Sequence, residues 1–65
     1  MNEQLQSTLF VGIDVSSKSN YVYAMDFFAK KLLSFSCSNN LPGVSVLITN
    51  LCNCLETENL KYVVI

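Results

Sequence analysis

The sequence contains no histidine and no arginine, one proline, two glycines, and charge on only 14% of its 65 residues. Each scarcity removes a class of function. Without arginine or a basic run there is no electrostatic footprint for nucleic acid, which counts against tight DNA binding by this segment alone. The four lysines, Lys18, Lys30, Lys31 and Lys61, are offset by Glu3, Asp14, Asp26, Glu56 and Glu58, for a net charge of -1. Without histidine, the three cysteines Cys37, Cys52 and Cys54 have no partner of the kind zinc sites use. Cys52-x-Cys54 is not a zinc spacing, and on a helix the two thiols point to different sides. They read as free, reduced, partly buried thiols of a cytosolic protein. No apolar run approaches the ~20 residues of a membrane span, and Met1 to Gln6 lacks a basic region followed by an apolar one. A cytoplasmic protein with no membrane partner is expected.

What the sequence does have is hydrophobic residues, at 51%. A chain this short buries only ~60% of the surface it exposes when unfolded. Its core is thin for its apolar content, so it is expected either to associate with copies of itself or to form part of something larger.

The organising stretch is Leu9-Phe10-Val11-Gly12-Ile13-Asp14-Val15-Ser16. Leu9 to Ile13 has the β-branched, uninterrupted character of a strand buried on both faces, and it delivers Asp14 to the edge of a hydrophobic layer. A carboxylate there needs a cation, a metal or N–H donors. Two readings stand side by side: Asp14 caps the following turn through the backbone N–H groups of Ser16 or Ser17, or it is a metal ligand.

Residues 1–7 are polar and aperiodic, a flexible lead-in to the remaining 8–65. The first strand runs from about Thr8 to Asp14, and Ser16-Ser17-Lys18-Ser19-Asn20 reverses the chain. Asn20 to Asp26 alternates, with Tyr21, Tyr23 and Met25 on one face and Val22 and Ala24 on the other. Tyrosine is common in strands, so without neighbouring basic residues these rings do not make a base-stacking platform. Asp26 to Lys30 is the next reversal, with Phe27 and Phe28 packing under the sheet edge or onto a partner. Lys31 to Cys37 alternates again, with Leu33, Phe35 and Cys37 inward and Ser34 and Ser36 outward. Asn39 or Asn40 caps a helix whose first turn holds Pro42. In that helix Val44, Leu47, Ile48, Leu51 and Leu55 form one stripe for packing on the sheet. Leu60 to Ile65 is a fourth, apolar strand. The sequence stops within it, which predicts an N-terminal fragment of a longer protein that self-associates through Leu60 to Ile65.

This order is expected to give an α/β architecture, a β-β-β-α-β unit with sheet order 3-2-1-4 and strand 4 parallel to strand 1 after a right-handed crossover. It resembles the opening of the ribonuclease H-like fold. More narrowly, Val11-Gly12-Ile13-Asp14-Val15-Ser16-Ser17-Lys18 resembles the start of the DEDD-type insertion-sequence transposases, a group related to Piv-type invertases and RuvC-type resolvases. Asp26, Lys30-Lys31, Asn39-Asn40, Gly43 and Tyr62 to Ile65 follow in the order that family shows, so the resemblance covers about residues 9–65.

The resemblance implies a metal-dependent enzyme that cuts and joins DNA in transposition. Asp14 matches the first of four acidic residues and is the one residue carried over as catalytic and metal-binding. The cofactor implied is Mg²⁺, since paired ions ~4 Å apart activate the attacking oxygen and stabilise the leaving one. DNA is the implied partner of the intact protein, and a guide RNA is a further candidate. One carboxylate cannot hold two ions, so the fragment alone is expected to be inactive. Sugar kinases and actin-like ATPases open with the same fold, but their phosphate-gripping turns use glycine where this chain has Val15-Ser16-Ser17-Lys18. A non-catalytic interaction module, binding through its last strand and the Phe27-Phe28 turn, is the third reading.

Overall fold

The alternation of apolar residues produces a sheet with one helix laid across it. The computed structural model describes residues 3–65. In chain order it contains α1 (Glu3–Gln6), β1 (Thr8–Val15), β2 (Ser19–Met25), β3 (Lys31–Ser38), α2 (Leu41–Thr57) and β4 (Tyr62–Val64). The four strands form one sheet in the order β3-β2-β1-β4. β1 pairs antiparallel with β2 and β2 antiparallel with β3, while β4 returns parallel to β1 after α2. The β-β-β-α-β order, sheet order 3-2-1-4 and parallel fourth strand read from the sequence are all present.

Of the 1–7 lead-in, Met1 and Asn2 lie outside the described residues, and Glu3–Gln6 forms a single helical turn. Ser7 ties that segment to the last strand, its carbonyl accepting from the backbone N–H groups of Lys61 at 2.8 Å and Tyr62 at 3.1 Å.

α2 begins where the sequence places it. The side chain of Asn40, in extended backbone, accepts from the N–H of Gly43 at 2.9 Å, with Pro42 in the first turn. Such a cap satisfies one of the donors a helix leaves unpaired at its start. Gly43 is required here by close approach: a Cβ on it would stand 1.7 Å from the carbonyl oxygen of Ser38. Its absence lets the helix turn back over the end of β3.

The core lies between α2 and one face of the sheet, built from Leu9, Val11, Val22, Ala24, Cys37, Leu51 and Cys54. Ile13, Leu33, Phe35, Leu47, Leu55 and Leu60 pack at its margin. Two expectations are corrected. β1 is covered on one face, not two: Leu9 and Val11 are buried, but Gly12 is exposed and Phe10 only half-buried, because among the described residues no layer covers the second face. The helix stripe is also narrower than its spacing implies. Leu51 is buried, whereas Val44 and Ile48 are exposed, since α2 sits over β3 and turns that flank outward.

Candidate metal centre

Asp14 lies near the C-terminal end of β1, opposite Tyr21 of β2, and is exposed. It shares the open face of the sheet with Gly12, two residues before it. Across that face Tyr21 stands next to Ser36, and Tyr23 next to Ser34.

The turn after β1 does not use the carboxylate. The Ser16 N–H donates to the Ser19 carbonyl at 2.9 Å, the Ser16 hydroxyl donates to the same carbonyl at 2.5 Å, and the Ser19 N–H donates to the Ser16 hydroxyl at 3.2 Å. Ser16 and Ser19 therefore close the reversal that the capping reading assigned to Asp14. Among the described residues no hydrogen bond or ion pair engages the Asp14 side chain.

Asn39, read from sequence only as a candidate helix cap, holds the same end of the molecule together. Its N–H donates to the Lys18 carbonyl at 3.1 Å, and its side-chain amide donates to the Ser16 carbonyl at 3.1 Å. It braces the turn beneath Asp14 against the β3–α2 connection. No periodicity signals this role, because it depends on two loops meeting at one end of the sheet.

The parallel strand arrives from the right direction but stops short. Thr8 pairs with Tyr62, Leu9 with Val63 and Phe10 with Val64. The resemblance to a ribonuclease H-like fold implies that the C-terminal end of the fourth strand lies next to Asp14, and here it does not: Asp14 is four residues beyond Phe10, or about 13 Å at the usual rise of a strand. Among the described residues no group of three or more histidine, cysteine or acidic side chains could hold a metal ion. Mg²⁺ prefers six oxygen ligands, and one exposed carboxylate does not make that site. The buried Oδ1 of Asn20, which has no hydrogen-bond partner, does not add to it, because Asn20 shares the helix-facing side of β2 with Val22 and Asp14 is on the other side.

Glycine at position 12 is not imposed by packing. A Cβ there would meet nothing nearer than the Tyr23 carbonyl oxygen at 4.0 Å. The sheet thus has a patch without a side chain next to an unengaged carboxylate. No family model, no curated protein and no solved structure matches this chain. Among the described residues no helix is long and apolar enough to cross a membrane.

Proposed function

We propose that residues 8–65 are the opening portion of a ribonuclease H-like domain of a DEDD-type transposase, with Asp14 as the first carboxylate of its divalent-metal site and DNA as the substrate of the intact protein. The observation that carries this reading is the placement of an exposed, unengaged Asp14 near the end of β1, a strand flanked over Thr8 to Phe10 by a β4 that runs the same way. A strand continuing β4 in register would pass alongside Asp14 on the side away from β2. A hard oxygen ligand for Mg²⁺ is what Asp14 contributes, and among the described residues no group of three acidic, histidine or cysteine side chains completes such a site. The reading implies a cytoplasmic protein acting on DNA, which the low positive charge of this segment leaves to other parts of the molecule to hold.

The geometry of the turn counts against a kinase or ATPase reading. The Ser16 N–H is already bonded to Ser19, and no glycine between Asp14 and Ser19 lets a phosphate approach the backbone.

The test is Asp14→Asn in a strand-transfer assay on the intact transposase, with stability followed in parallel. Loss of transfer with unchanged folding supports the assignment, and retained transfer removes Asp14 from the metal site.

A further inference from the structure

The end of the sheet remote from Asp14 carries two features that fit each other across copies of the chain. The first is the β2–β3 turn, which is a rigid projection. The Asp26 carboxylate accepts from the N–H groups of Phe28 and Lys30, each at 2.9 Å. The Asp26 N–H donates to the Lys30 carbonyl at 3.0 Å, and Ala29, at φ 64, donates to the Asp26 carbonyl at 3.1 Å. This frame holds Phe28 out in solvent, 71% exposed, with its ring edge-on to Phe27 at 5.3 Å between centroids. Lys30 and Lys31 follow immediately.

The second feature is a groove of about 230 Å³ between the start of β3 and the C-terminal half of α2, lined by Leu32, Leu33, Cys54, Thr57 and Glu58 among others. It exists because the β2–β3 register slips: Ala24 pairs with Leu33 but Met25 pairs with Lys31, leaving Leu32 as an extra residue. A bulge of this kind lets two successive side chains approach one face, so both leucines line the groove. A closed cavity of ~150 Å³ suffices for a benzene ring, so the groove has room for a phenyl side chain. Its rim is negative. Glu56 and Glu58 stand at the end of α2, whose last turn has no basic residue, and the helix dipole adds partial negative charge there.

We infer that Phe28 of one copy of this chain seats in the Leu32/Leu33/Cys54 groove of a second copy, with Lys30 facing Glu58 across the contact. Projection and groove lie at the same end of the chain, so one two-fold axis makes the exchange reciprocal, as a closed dimer requires. Charge complementarity selects a second copy: Lys30 beside the projecting ring meets Glu58 at the edge of a ring-sized groove lined by Leu32, Leu33 and Cys54 together with the polar Asn50, Asn53 and Thr57. The free edge of β4 is a weaker candidate for self-association, because it spans three residues and short edge strands resist strand addition. The contact is independent of the metal-site assignment.

Sedimentation equilibrium on the 65-residue chain, up to about 1 mM, tests it. A reversible dimer is expected. Phe28→Ala should weaken it about a hundredfold, since both copies lose a ring, while far-UV circular dichroism is unchanged. Lys30→Glu and Glu58→Lys should each weaken the dimer by placing like charges opposite one another, and combining them should restore it. A strict monomer overturns the inference, as does a dimer indifferent to Phe28→Ala or a charge swap without rescue. A dimer lost on Val63→Lys but not Phe28→Ala assigns the contact to β4 and also overturns it. So does a monomer that uses Phe28 to bind anionic vesicles or duplex DNA.

Discussion

Val64 stands opposite Phe10 across the parallel β1–β4 pair, with Asp14 four residues further along β1 on the same open face of the sheet as Phe10. Successive residues of a strand alternate faces, so an even step preserves the face. Phe10, Gly12 and Asp14 therefore share the open face, and β4, which ends at Val64, stops about 13 Å short of Asp14.

Because Asp14 engages nothing among the described residues, its charge contributes little to folding. Asp14→Asn is expected to change the unfolding free energy by no more than about 0.5 kcal/mol, as for surface substitutions away from special features. Urea titration followed by circular dichroism measures this. A loss of several kcal/mol would mean that the carboxylate is structural, and the metal-site reading would lose its basis.

The two glycines separate structure from function. Gly43→Ala forces a methyl group into the Ser38 carbonyl, and overpacking against backbone costs at least the ~1–3 kcal/mol seen in cores. A domain of this length has only ~3–10 kcal/mol in total at typical stability per residue, so the variant is expected to be largely unfolded at 37 °C. Gly12→Ala meets open space and removes a flexible residue from a strand interior, which should stabilise by up to about 1 kcal/mol. On the proposed transposase reading, the same substitution should reduce strand transfer, since it fills the patch beside Asp14. Thermal melts of both variants and a transfer assay on Gly12→Ala check the pair.

Asn39 and Asn40 are neighbours with separate tasks. Asn40→Ala removes the Gly43 cap and should cost about 1 kcal/mol. Asn39→Ala breaks the brace to Ser16 and should cost about 0.5–1 kcal/mol, because the bond is exposed to solvent. Its distinctive effect is local: amide hydrogen exchange at Ser16 and Ser19 should quicken while that of the core strands follows only the global change. Equal exchange at that turn in the wild type and Asn39→Ala would remove the brace.

The strands and their faces were legible because period-two alternation survives in Tyr21 to Met25 and Leu33 to Cys37, and the helix start because Asn40, Pro42 and Gly43 are each suited to one position. The path of the helix was not. Val44 and Ile48 fit the apolar spacing as well as Leu47 and Leu51 do, and only the lateral placement of α2 over β3 decides which pair is buried. Nor was the bulge at Leu32, since Lys31-Leu32-Leu33 carries no glycine or proline to mark it. At the candidate site the sequence read the parallel strand flanking β1 but not how far short of Asp14 that strand stops. The division of labour in the turn was hidden, because Ser16 and Asp14 are equally able to accept backbone N–H groups and only the realised geometry shows that Ser16 bonds with Ser19.

The three thiols should differ in reactivity according to where the helix and sheet put them. Cys52 is exposed, whereas Cys37 and Cys54 are buried, so a thiol reagent at neutral pH is expected to modify Cys52 quickly and the others only through opening of the fold. Burial raises the pKa of Cys54 above the ordinary thiol value, and the nearby Glu58 carboxylate adds to the rise. The folded state thus holds this proton more tightly than the unfolded one. The associated stability is present below the unfolded thiol pKa of about 8.5 and is lost as pH rises through the folded value. Removing the Glu58 charge with Glu58→Gln relieves part of the shift, so the alkaline loss of stability, which begins at the unfolded thiol pKa in both, should be larger and extend to higher pH in the wild type than in that variant. Denaturant midpoints from pH 7 to 11 measure it, with Cys54→Ala as the control in which this thiol's contribution to the pH dependence disappears.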